Sequence, residues 1–284
     1  MPTTTDQKIE FERVGPVARF FRTVLINPIA NYAPASWLRW LLHVTASELA
    51  AANWSDPGGW RSMVISYQGR CRQWADKLLV GTGAVPMALR NRRRLAAKVL
   101  ADLIDASAHQ PAEVLCVGAG PGFIIFDALT QARSQARATL VDLNEDAHDY
   151  ARRLAGDRSL QDRVRFVTGD VRQIHQHLNG RVDVVKMIGI CEYLTDEQIL
   201  SITQALAAVM PTGGAVVFNS LSNRHGTDRF FRRVFGLHMI HRTPDALCAL
   251  MSRAGLGQFH SQPEPLGVYD VVTARKLSPN GKGT

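Results

Sequence analysis

Apolar positions change their period near residue 109. Before that point they recur every three or four residues, the spacing of amphipathic helices. Phe20 and Phe21 fall in a segment predicted helical from about 12 to 25, and Asn27-Pro28 and Ala33-Pro34 are predicted to break it. Trp37, Trp40, Leu41 and Val44 follow at helical spacing, with Ser36 as the expected cap. Trp60, Val64, Tyr67, Cys71, Trp74 and Leu78 predict one long helix that ends at Gly81 and Gly83. Pro86 suits the first turn of another, running to about 105. From 109 onward, short apolar runs alternate with helical stretches, which predicts a parallel sheet. Strands are expected at about 113–117, 138–142, 164–168, 182–188 and 215–218, then near 257–262 and 268–275. Helices are expected after Asn144, at about 196–209 and over 227–254. The polar ends, 1–10 and 278–284, read as mobile tails.

The first of these strands runs straight into glycines: Val114-Leu115-Cys116-Val117-Gly118-Ala119-Gly120-Pro121-Gly122-Phe123. Glycine lets the backbone bend sharply and lets a ligand come close to the free N–H groups that open the next helix. The dinucleotide fingerprint spaces its glycines G-x-G-x-x-G. Here the third comes one residue early. Asp142 ends the second strand, and Thr168-Gly169-Asp170 ends the third.

A glycine turn and two acids, each at a strand end and in this order, resemble the core of class I S-adenosylmethionine (SAM) methyltransferases. The resemblance implies an α/β fold: a Rossmann-like sheet with helices on both faces at 109–284, and an N-terminal all-helical lid at 1–108. It implies that Gly118, Gly120 and Gly122 pass the amino-acid part of SAM. Asp142 and Asn144 would lie at the ribose, Asp170 and Val171 at the adenine, and Gly189 near the methionine end. Cys116 departs from the family, which often has an acid there. All five tryptophans lie between positions 37 and 74, so the lid could place an aromatic ring on the sulfonium. Tyr67 and Arg70 are candidates to touch the SAM carboxylate or sulfonium.

Ligands of open α/β sheets bind beyond the carboxyl ends of the strands. There the chain offers Glu192 and Tyr193 after strand four, and Asn219, Arg224 and His225 after strand five. Tyr193 could orient a substrate, Asn219 could line the site, and His225 could act as a general base. Methyl transfer gains much from positioning, and a carboxylate acceptor needs no base. Glu192-Tyr193-Leu194-Thr195-Asp196, the Pro211-Thr212-Gly213-Gly214 turn, Asn219-Ser220 and 238–243 look like bacterial methyltransferases that make 3-hydroxy fatty-acid methyl esters. The lid-plus-core build is also similar to natural-product enzymes that cyclise SAM to azetidine-2-carboxylate and release methylthioadenosine. Methyl transfer to a small acceptor in bacterial secondary metabolism is the first expectation, and cyclisation is the alternative.

Composition narrows the classes further. The 284 residues are 46% hydrophobic, enough for a sizeable core in one large or two small domains. No apolar run approaches the roughly 18–20 residues that span a bilayer. The first ten residues lack an apolar signal core. Four scattered cysteines, Cys71, Cys116, Cys191 and Cys248, have neither disulfide nor zinc spacing, so reduced thiols, a cytoplasmic location and no metal are expected. A net charge of +8 is concentrated in Arg90-Asn91-Arg92-Arg93-Arg94, expected to be a solvated helix face. With no aromatic residues interleaved in that run, and with neither nucleic-acid methyltransferase signature, an RNA-binding protein or RNA methyltransferase is a remote alternative. The expected partner is a small molecule, with no nucleic acid or membrane, and the oligomeric state stays open.

Overall fold

The computed structural model describes residues 9–177 and 180–278. The expected tails lie outside them except for residues 9, 10 and 278. A helical layer comes first: α1 (Pro16–Phe21), α2 (Asn27–Tyr32), α3 (Ala35–Val44), α4 (Glu48–Ser55), α5 (Trp60–Gln68), α6 (Trp74–Asp76) and α7 (Ala84–Asp105). The chain stays helical through Asn27-Pro28, where a break was expected. A wide π turn at Arg22–Ile26 joins α1 to α2 and bypasses the N–H that Pro28 lacks. The break falls at Ala33, held extended ahead of Pro34, and Ser36 lies inside α3 rather than capping it. The long helix expected from Trp60 is cut at Gly69, whose φ of +64° no side chain adopts easily.

Seven strands follow: β1 (Ala112–Val117), β2 (Ala136–Asp142), β3 (Val164–Thr168), β4 (Val184–Met187), β5 (Ala215–Leu221), β6 (Leu256–Pro263) and β7 (Tyr269–Lys276). They form one sheet in the order 3-2-1-4-5-7-6. The first five are parallel, and β7 runs antiparallel between β5 and β6. Strands β1, β4 and β5 are almost wholly buried, as their near-continuous apolar runs require in a sheet covered on both faces.

On one face, α7, α8 (Phe123–Gln131) and α9 (Glu145–Asp157) pack Leu100, Ile104, Phe126 and Ala151 onto β1 and β2. On the other, α10 (Asp196–Val209) and α12 (Pro244–Ser252) pack Ile199, Ile202 and Leu247 onto β4 and β5. The single helical region expected at 227–254 is instead α11 (Asp228–Phe230), a π turn to Phe235, a left-handed Gly236 with φ +70°, an extended stretch and then α12. Leu38, Leu42 and Ala50 of the helical layer close on Phe230, Val234 and Phe235. Arg39 and the Trp54 indole both donate to the Val234 carbonyl there. The strand order reverses between β1 and β4, so a crevice opens at their carboxyl ends, and α4, α5 and the first half of α7 roof it.

Candidate active site

A cavity of about 410 Å³ fills that crevice. Its floor is the glycine turn. Gly118, Gly120 and Gly122 have φ of +62°, +55° and +75°. The space above Gly120 is open, so a ligand can rest on its backbone. Gly122 does not line the cavity. It caps α8, and a Cβ there would meet the Phe126 ring at 2.6 Å. Asp142 faces the turn across the sheet. Its carboxylate accepts from Gly120 N at 2.7 Å and from Asn144 N at 3.0 Å. Asn144 in turn caps α9 by accepting from Ala147 N. Asp142, Leu143 and Asn144 form one end of the cavity, with Trp60 beside them.

The other end lies over β4. Arg92 of α7 is 1% exposed and pairs with Glu192 at 3.2 Å. It donates to the Tyr67 hydroxyl at 3.2 Å and lies 4.4 Å from the centre of the Tyr269 ring. Burial opposes its charge, but Tyr67, Tyr269 and Glu192 more than offset that, so it stays protonated. Lys186 of β4 is 4% exposed and donates to the Gly118 carbonyl at 3.1 Å. Burial pulls its pKa below the ordinary lysine value, and Arg92 adds repulsion. Beside it in register, the Cys116 thiol is pushed up to about 12 by burial. Tyr193 reaches the cavity wall with 40% of its surface accessible, yet desolvation around its hydroxyl, with Glu192 adding to it, raises its pKa. Phe231, Leu237 and Met239 make the remaining wall apolar.

Among the described residues that line the cavity, three buried polar atoms have no hydrogen-bond partner: Trp60 Nε1 and Arg92 Nε, donors, and Glu192 Oε2, an acceptor. Buried polar atoms are normally paired, so these are sites where a ligand can complete the bonding. An adenosine with a charged amino-acid arm fits this arrangement. An open glycine floor faces one acid, a free indole N–H lies at one end, and charged groups lie at the other.

The structure thus brings Gly118, Gly120, Asp142, Asn144, Gly189, Tyr67 and Tyr193 to one cavity. Five other expected residues lie away from its wall. Arg70 follows the left-handed Gly69 and is exposed. Asp170 turns to Arg172, and Val171 is buried beneath the 3-10 turn it starts. Asn219 is structural, accepting from Gly189 N at 2.7 Å. His225 is 3% exposed, packs on His241 and Phe231, and accepts from Thr227 N at 3.1 Å. Desolvation, with His241 adding to it, lowers its pKa to about 4, so it is not a base for substrate. The arginine run is not a solvated face. Arg90 binds Glu12 and two carbonyls, Arg92 lines the cavity, and Arg93 grips Asp127 over the Phe123 ring. Of the tryptophans, Trp60 meets the cavity, while Trp40 and Trp54 border a separate shallow hollow. Lys186 and Arg92 were missed as site residues. The signal for Lys186 was present, a cation inside the apolar run 182–188.

Residues 114–214 match the family model of the methyltransferase domain. The chain carries a methyltransferase domain. No curated protein matches the sequence. Solved structures share its fold at low identity. A possible exported protein from Bordetella parapertussis superposes with a TM-score of 0.64 at 15% identity, over 87% of this chain and 98% of its own. A putative O-methyltransferase from Nostoc punctiforme gives 0.55 at 15%, over 83% and 71%. Magnesium protoporphyrin IX methyltransferase from Synechocystis, solved with bound SAH, gives 0.56 at 13%, over 85% and 99%. The fold is that of the class I methyltransferases, and the domain matched over residues 114–214 is that of a SAM-dependent methyltransferase. Among the described residues no cluster could hold a metal ion, and no helix is long and apolar enough to cross a membrane.

Proposed function

We propose that the enzyme methylates a small, mainly apolar acid at its carboxylate. The observation that carries this reading is the cavity lining, in which the apolar Phe231, Leu237 and Met239 and the Tyr193 ring share the wall with the buried Arg92 cation. When bound, SAM supplies a methyl group activated by its sulfonium. The apolar wall excludes water and holds an acceptor's hydrocarbon part, while Arg92 offers a fixed positive charge to its carboxylate. The carboxylate oxygen is already a nucleophile, so no proton must be removed. This suits a wall where His225 is absent and Glu192 is held by Arg92. The inward-turned arginine run supports a small-molecule partner rather than nucleic acid. The test supplies SAM with a panel of 3-hydroxy fatty acids and aromatic acids and follows S-adenosylhomocysteine by mass. Release no faster than without acceptor across the panel would sink the reading.

A second reading is favoured by one specific observation. Cys116, neutral at pH 7, and Lys186 stand at the glycine turn, where an acid would stabilise SAM's ammonium. An uncharged amine can attack the methylene carbon next to sulfur. A carbon–nitrogen bond then closes the four-membered ring, the carbon–sulfur bond breaks, and its electron pair leaves on methylthioadenosine. SAM alone yielding methylthioadenosine and azetidine-2-carboxylate would replace the first reading by this one.

A further inference from the structure

Lys186 is a buried amine that forms no salt bridge among the described residues, and burial pulls its pKa below the ordinary lysine value. Its ammonium has three donors, and one reaches the Gly118 carbonyl. The charged and titratable groups that face it come from four elements. From β1, the Cys116 thiol is neutral at pH 7. From α7, Arg92 repels it. After β2, both Asp142 oxygens are engaged by backbone N–H groups. After β4, Glu192 is held by Arg92. A buried charge is costly unless it is paired, and Lys186 lines the cavity where a ligand can pair it.

The amino-acid arm of SAM carries a carboxylate and an ammonium. At this end of the cavity the ammonium finds little. The Gly118 carbonyl is taken by Lys186, and the strand position beside Lys186 holds a thiol rather than an acid. The carboxylate finds free donors on the Lys186 amine, and its own negative charge favours the protonated form there. We propose that Lys186 anchors the α-carboxylate of SAM, so that the methionine arm is held by its acid and its amine is left without an anionic partner. The proposal rests on SAM as the ligand and on neither of the two reactions.

Calorimetry with S-adenosylhomocysteine and with decarboxylated SAM tests it, on the unaltered enzyme and on Lys186→Met. Methionine keeps the length of the side chain and removes the charge, so the variant should melt at or above the temperature of the unaltered enzyme. Lys186→Gln serves if the methionine variant does not fold. The S-adenosylhomocysteine affinity should fall roughly tenfold to a hundredfold, as for a lost hydrogen bond to a charged group. The affinity for decarboxylated SAM should change little. Equal losses for the two ligands would mark Lys186 as merely structural, and an unchanged S-adenosylhomocysteine affinity would also overturn the proposal. If the unaltered enzyme binds neither ligand, the cofactor assignment fails and the proposal falls with it.

Discussion

His225 shows how a residue's chemistry depends on its packing. In sequence it lies in a polar loop, where its ordinary pKa suits a base. In the structure Thr227 N donates to its Nδ1, and its Nε2 is buried without a partner. Protonation would cost the Thr227 bond and bury a charge, so the pKa falls from 6.5 to about 4. The unfolded chain then binds a proton that the folded chain refuses. Stability therefore falls as pH drops from about 6.5 to about 4, by up to about 3 kcal/mol, and this contribution is constant outside that window. Melting temperatures of the unaltered enzyme and His225→Asn, followed from pH 7 to 4.5, check this. The variant should lose part of the slope, and identical slopes would refute the assignment. Asp142 was legible from sequence because strand ends and glycine turns are local signals. His225, Arg70 and Asp170 lie off the cavity wall, because their surroundings are set by residues distant in sequence or by an ion pair the pattern does not record.

At the scale of elements, α7 holds the sheet at its C-terminal half and the cavity at its N-terminal half. Leu100 and Ile104 pack in the sheet's core, while two turns earlier Arg92 enters the site. Its basic run suggested a solvated face because consecutive arginines are usually surface residues. Three helices and a strand end surround this turn, and Glu12, Glu192 and Asp127 supply the counter-charges. No periodicity reports such partners. The Arg92–Glu192 pair is enclosed, so removing one member strands the other. Arg92→Ala should destabilise the fold by about 3–5 kcal/mol in denaturant titration, whereas Arg92→Met with Glu192→Met should recover most of it. A single variant that unfolds within 1 kcal/mol of the unaltered enzyme would show the pair to be solvated. Strand positions and the order of βα units were legible from apolar runs. Helix continuity was not, since the π turn at 22–26 and the left-handed Gly69 decide it through backbone geometry rather than through the apolar period.

The whole molecule is a sheet with a helical roof, and the cavity belongs to both. Asp142, Gly118 and Lys186 come from the sheet, whereas Trp60, Tyr67 and Arg92 come from the roof. A ligand there bridges the two layers, so its binding free energy adds to whatever holds the roof down. Saturation at a hundred times the dissociation constant is worth about 2.7 kcal/mol. Five tryptophans occupy the helical layer, but Trp60 is the one that meets the cavity, with its indole N–H unpaired and its ring 5.5 Å from that of Tyr150. Trp54 already donates to Val234, and Trp37, Trp40 and Trp74 are exposed. S-adenosylhomocysteine should therefore change the intrinsic fluorescence through Trp60, by giving its N–H an acceptor and removing water from its ring. Trp60→Phe should abolish most of that change, whereas Trp40→Phe should leave it intact, and calorimetry should show that both variants still bind. A fluorescence change that survives in Trp60→Phe would mean that the roof moves as a body on binding. Loss of the change in Trp60→Phe alone would mean that the ligand is read by this one ring beneath a roof already in place.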